Sequence, residues 1–90
     1  MQTQIRPNPD VLFQIFDNEA VLLHLKTEIY YSLNDVGARF WQLLEEQEQA
    51  TAEILIAQLL NEYEVDAETL QKDIHNLLEQ LTQAQLVKVG

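Results

Sequence analysis

The segment from Glu28 to Leu44 reads Glu-Ile-Tyr-Tyr-Ser-Leu-Asn-Asp-Val-Gly-Ala-Arg-Phe-Trp-Gln-Leu-Leu, and its apolar residues change period halfway. Up to Leu33 they alternate, with Ile29, Tyr31 and Leu33 on one side and Tyr30 and Ser32 on the other. From Val36 they recur at Val36, Phe40, Leu43 and Leu44. The first half is therefore a strand with one buried face, and the second an amphipathic helix. Asn34 is a good N-cap between them, and Asp35 in the first turn suits the helix dipole. A strand running directly into a helix must be packed from both sides, which asks for sheet before it and helices after it.

Ninety residues suffice for one small domain with a single core. An embedded catalytic cavity is not expected at that size. No apolar run approaches a membrane span, and no signal-peptide pattern opens the chain. The absence of cysteine excludes a disulfide framework and thiolate chemistry and fits a cytoplasmic location. Fifteen acidic and five basic residues give a formal charge of −10. Such a surface repels phosphate backbones and anionic lipid, so neither nucleic acid nor membrane is an expected partner, and a neutral or basic one is.

Residues 1–10 carry both prolines and little apolar surface, and read as an extended or mobile N-terminal arm; 11–90 form the domain. Val11–Phe16 predicts a first strand, Asp17-Asn18-Glu19 a turn, Ala20–Leu25 a second strand, Lys26-Thr27 another turn and Glu28–Leu33 a third strand. These form an antiparallel meander. The first helix is predicted from Asp35 to about Gln47. Thr51 caps a second helix with Ile56, Leu59, Leu60 and Tyr63 on one face. Asp66 caps a third, with Leu70, Ile74, Leu77, Leu78 and Leu81 on one face, ending near Ala84. Leu86–Val89 adds a short extended tail. The fold class is α+β: a three-stranded antiparallel sheet followed by three helices, in a winged helix-turn-helix-like arrangement.

A winged helix invites a DNA-binding reading, which the charges oppose. The third helix carries Glu68, Asp73 and Glu79 against the single base Lys72, and the second has Glu53 and Glu62 and no base. Groove binding needs Arg and Lys. His24 and His75 have no metal-ligand spacing, so no metal is expected. Ser32, the only serine, lies on a strand and has no Gly-rich oxyanion loop. The carboxylates belong to solvated helix faces. Trp41, at the margin of the first helix's apolar face, is assigned to the core. Tyr30 faces away from that core and is either a contact residue or an exposed tyrosine without a role.

The third strand, last in the meander, is then an edge with unpaired N–H and C=O groups. A peptide can add there as a further strand, in a groove walled by the third helix if that helix packs beside it. The alternatives are that the N-terminal arm or a second copy of the domain covers the edge.

Tyr30-Tyr31-Ser32-Leu33-Asn34-Asp35-Val36-Gly37-Ala38-Arg39-Phe40-Trp41 resembles the Tyr-Tyr-x-Leu-Asn-x-x-Gly-x-x-Ile/Phe-Trp segment of PqqD-like proteins. The similarity continues through Leu59–Asp66 and Asp73–Leu81, across roughly residues 11–88. The chain departs from the family at Asn18-Glu19 and Lys26-Thr27, where glycine is frequent in the hairpin turns, and at Gln85-Leu86, where Gly-Leu is frequent. The resemblance implies a non-catalytic, winged-helix-like chaperone that needs no cofactor. Such domains bind the leader segment of a ribosomally made precursor peptide on the third strand, beside the third helix. They present it to a modifying enzyme such as a radical SAM enzyme, a leader protease or a cyclising enzyme. In the founding pathway the product is pyrroloquinoline quinone. The candidate peptide-binding residues are Glu28, Ile29, Tyr30, Tyr31, Ser32 and Leu33 for strand addition, and Leu70, Asp73, Ile74, Leu77 and Gln80 for the helix wall. Asp73 can accept from a basic leader residue or be an ordinary exposed carboxylate. The other reading is a protein–protein adaptor, or a homodimer formed through the same edge.

Overall fold

The computed structural model describes residues 3–90. Strands β2 (Val11–Phe16), β3 (Glu19–His24) and β4 (Tyr30–Leu33) form an antiparallel sheet in the order β2-β3-β4. Helices α1 (Asp35–Gln47), α2 (Ala52–Glu62) and α3 (Ala67–Gln83) follow it. The α+β, winged-helix-like architecture is the one the sequence predicts. All three predicted caps form: Asn34 Oδ1 accepts from the Gly37 N–H, Thr51 Oγ1 from Ile54 and Asp66 Oδ2 from Thr69. Each satisfies a helix N–H that has no partner within its own helix.

The core follows from the two periods. Ala20, Leu22 and Leu33 bury the inner face of the sheet against Phe40, Trp41 and Leu44 of α1. Ile56 and Leu59 of α2, with Leu70, Ile74 and Leu81 of α3, complete it. Leu55, outside the predicted face of α2, is fully buried as well. Arg39 clamps α1 to α2, donating from Nε and Nη2 to the two carboxylate oxygens of Glu62 at 2.7 and 2.9 Å. That hydrogen bond holds Glu62 below the usual carboxylate range and raises Arg39.

A second sheet is not foreseen by the sequence. Gln4–Pro7, inside the segment read as an arm, is strand β1 and pairs on both sides, with β5 (Ala50–Thr51) and β6 (Val87–Val89). Ile5 is buried there, which ties the extended segment into the core; Met1 and Gln2 lie outside the described residues. Asn8 links this sheet to the rest. Its N–H donates to the Leu86 carbonyl, its Nδ2 donates to the Gln85 carbonyl, and its Oδ1 accepts from the Asp10 N–H.

The third strand begins at Tyr30, not at the expected Glu28, and the second ends at His24, not at Leu25. The reason is the turn. His24 N–H donates to the Ile29 carbonyl and Glu28 N–H to the His24 carbonyl, so four residues, Leu25 to Glu28, form the loop. With no glycine available, Glu28 itself takes the left-handed conformation at φ 62°. Buried His24 braces the loop: its Nδ1 accepts from the Lys26 and Thr27 N–H groups. Gln85 does the same work after α3. At φ 61° it completes a Schellman cap, with Leu86 N–H bonded to the Leu81 carbonyl and Gln85 N–H to the Thr82 carbonyl.

Candidate functional site

Among the described residues β4 pairs only with β3. The N-terminal segment, one of the covers considered for this edge, is engaged in the other sheet. The register pairs Ala20 with Leu33, Val21 with Ser32, Leu22 with Tyr31 and Leu23 with Tyr30. The His24 N–H to Ile29 carbonyl bond makes 24/29 a hydrogen-bonded pair. Antiparallel pairs alternate, so 22/31 and 20/33 are also bonded, while 21/32 and 23/30 are not. Tyr30 and Ser32 therefore turn their N–H and C=O groups away from β3, toward the open edge. Two residues offer four backbone groups, spaced as an added strand requires.

The edge borders a groove of about 460 Å³. On the β4 side its lining includes Tyr31, Ser32 and Leu33, and on the α3 side Leu70, Asp73, Ile74, Leu77 and Gln80. The two sets of candidates read from the sequence thus face one another. Leu33, Leu70 and Ile74 are buried and form an apolar floor; Asp73, Gln80 and Ser32 are exposed at the rim. The Tyr31 hydroxyl donates to Gln80 Oε1, bridging strand and helix. Asp73 makes no ion pair among the described residues, which leaves its carboxylate available at the rim.

Not all candidates meet there. Glu28 lies in the hairpin loop and Ile29 closes it, both outside the groove: the Glu28 N–H and the Ile29 carbonyl are spent closing the turn. Ile29, expected on the side of Tyr31 and Leu33, is 61% exposed. Tyr30 does project away from the core, at 69% exposure, and contributes its backbone to the edge. Five residues that were not among the candidates also line the groove: Asn34, Val36, Gly37, Val65 and Thr69. The strand-to-helix junction and the capping segment before α3 signalled the first three and the last two. At Gly37 a Cβ would stand 3.3 Å from both Leu33 Cβ and Asn34 Oδ1, so glycine lets the first turn of α1 sit close to β4.

A depression of about 490 Å³ lies elsewhere, lined by residues that include Ile5, Glu53, His75, Glu79 and Val89. Its size is comparable, so volume does not distinguish the two. What marks the first is the edge of β4 beside it, where the backbone groups of Tyr30 and Ser32 point outward next to the wall of α3. Trp41 is fully buried, as expected, with Phe13 edge-on at 6.5 Å between ring centroids. Its indole N–H meets no acceptor in hydrogen-bond geometry. Burial holds the nearby Glu45 carboxyl above its usual range, partly offset by the pull of that N–H.

The family profile described as coenzyme PQQ synthesis protein D (PqqD) matches residues 19–87. Among solved structures, one titled "TbiB1 in Complex with the TbiA(beta) Leader Peptide" is 35% identical, with a TM-score of 0.83 over 92% of this chain and 94% of that one. A second, "Lasso peptide synthetase B1 complexed with the leader peptide", is 26% identical, with a TM-score of 0.77 over 93% of this chain and 96% of that one. No curated protein matches the sequence significantly.

Proposed function

The chain belongs to the PqqD family, and on that premise we propose that it captures the leader segment of a ribosomally made precursor peptide and presents it to a separate enzyme. The observation that carries this is the open edge of β4, with the backbone groups of Tyr30 and Ser32 unpaired beside the α3 groove. The leader adds as a fourth strand. Its residues opposite Tyr31 and Leu33 turn their side chains to the inner face, toward Leu70, Ile74 and Leu77, while those opposite Tyr30 and Ser32 point outward. Backbone pairing supplies general affinity, and the floor of the groove selects apolar side chains at alternate positions. Asp73 selects a basic residue at the rim.

The protein is not itself an enzyme. Ser32 is exposed on a strand, and His24 is buried with its Nδ1 engaged by two backbone donors. The partner enzyme is a leader protease, a cyclising enzyme or a radical SAM enzyme. Similarity to a protein titled lasso peptide synthetase B1 favours a lasso-peptide precursor over a quinone-cofactor one. The complex works in the cytoplasm, where precursors are made; no helix among the described residues is long and apolar enough to cross a membrane.

The test is a backbone NMR titration with the leader of a candidate precursor. Shifts concentrated at Tyr30–Leu33 and Leu70–Gln80 are expected. Binding with shifts elsewhere would move the site, and no binding of any cognate leader at high micromolar concentration would refute the reading.

A further inference from the structure

Antiparallel sheets with one solvated face ordinarily alternate apolar-in and polar-out. The outer face of β2-β3-β4 does not. The register sets Leu12, Leu23 and Tyr30 in one row across all three strands, and Gln14, Val21 and Ser32 in the next. Phe16 and Leu25 extend the face at either end. Leu12, Phe16, Leu25 and Tyr30 are 57%, 53%, 48% and 69% exposed. Single exposed apolar residues carry no message, but a contiguous apolar face marks an interaction surface. Its margin is acidic. Asp17, Glu19 and Glu28 are exposed in or beside the two hairpin turns, while Lys26 is paired with Asp10 at 3.4 Å.

Charge and size identify what covers it. A second copy would set Asp17, Glu19 and Glu28 against their own equivalents, on chains that each carry a charge of −10. The face is also small. Three strands about 4.8 Å apart, at about 3.4 Å per residue over six residues, span roughly 300 Å². A stable dimer takes about 800 Å² from each side, whereas a transient encounter, such as that of an enzyme with a presented substrate, buries less than about 1,200 Å² in all. A peptide added at β4 widens this face, because its residues opposite Tyr30 and Ser32 project to the same side.

We propose that the outer face of β2-β3-β4, extended by the bound leader as a fourth strand, is the docking surface for the enzyme that acts on the precursor. The enzyme's complementary face is apolar at its centre and basic at its margin. This rests on leader capture at the β4 edge. It adds that the enzyme reads chain and leader together, and so prefers the loaded form.

The experiment uses the full chain with Leu12 and Phe16 both replaced by serine, and separately with Glu19 and Glu28 both replaced by lysine. The probes are the labelled leader and the purified enzyme that cuts or modifies the matching precursor. All forms should bind the leader within twofold of wild type, which also reports that they fold. Conversion of the precursor at limiting enzyme should fall at least tenfold in both variants. Wild-type chain loaded with leader should bind the enzyme at least tenfold more tightly than free chain. Normal leader binding with wild-type conversion in both variants overturns the docking surface and leaves leader capture standing. A concentration-dependent dimer of the wild type that the Leu12/Phe16 variant abolishes overturns it in favour of a second copy. Failure of the wild type to bind leader defeats the underlying reading, and the proposal with it.

Discussion

Replacing Ser32 by proline separates the two edges of β4. The Ser32 N–H points away from β3, because 21/32 is a non-bonded pair in the ladder. Proline at an edge position whose N–H faces solvent removes nothing from the sheet. Stability should therefore change by less than about 1 kcal/mol, the residual cost of fitting proline's fixed φ. For an added peptide the same change is severe. It deletes one backbone hydrogen bond, worth about 0.5–1.5 kcal/mol net, and sets ring carbons against the peptide backbone where a second would form. A loss of about 1–3 kcal/mol raises the dissociation constant roughly 5- to 150-fold. Fluorescence anisotropy with a labelled leader measures it, with thermal unfolding as the control. Tyr31→Pro, one residue away, removes a ladder bond to Leu22 and should instead weaken the fold itself. A Ser32→Pro protein that melts like wild type and binds leader within twofold would refute strand addition at this edge.

Asp73→Lys should leave the melting temperature within a few degrees and weaken a leader that is basic at the rim; unchanged affinity for such a leader removes Asp73 from the site. His24→Ala should cost about 2 kcal/mol in urea unfolding, because the Lys26 and Thr27 N–H groups lose their acceptor. Gln85→Gly should stabilise by about 0.5 kcal/mol, as relief at φ 61° exceeds the added freedom of the unfolded chain; a loss of stability would contradict the left-handed cap. Glu45→Gln should be more stable than wild type at neutral pH. Because burial raises the folded-state pKa of Glu45, wild type loses stability as pH rises from the ordinary carboxylate range through that raised value. The advantage of glutamine should vanish in acid, and an equal gain at both pH values would point to another cause.

Local periodicity made the groove legible. Helical spacing placed Leu70, Asp73, Ile74, Leu77 and Gln80 along α3, and alternation placed Tyr31 and Leu33 opposite Tyr30 and Ser32. Caps fixed the helix starts to the residue at Asn34, Thr51 and Asp66. Two kinds of information were not local. Glu28 and Gln85 adopt left-handed backbone without being glycine, so nothing in the chain announced that the third strand would start two residues late. Gln4–Pro7 pairs with strands roughly 45 and 80 residues away, and its one buried side chain, Ile5, gives no periodic signal.

That distant pairing has a consequence for synthesis. Ile5 can meet Ala50 once residue 50 is made, but its other partner, Val89, follows 39 residues later. At about 5–20 residues per second, β1 waits roughly 2 to 8 seconds with one side open. By then β4 and all three helices have been made. Closure of the domain therefore coincides with the arrival of residues 87–89, and a nascent chain stopped before Val87 carries every residue of the groove while the other sheet still lacks β6.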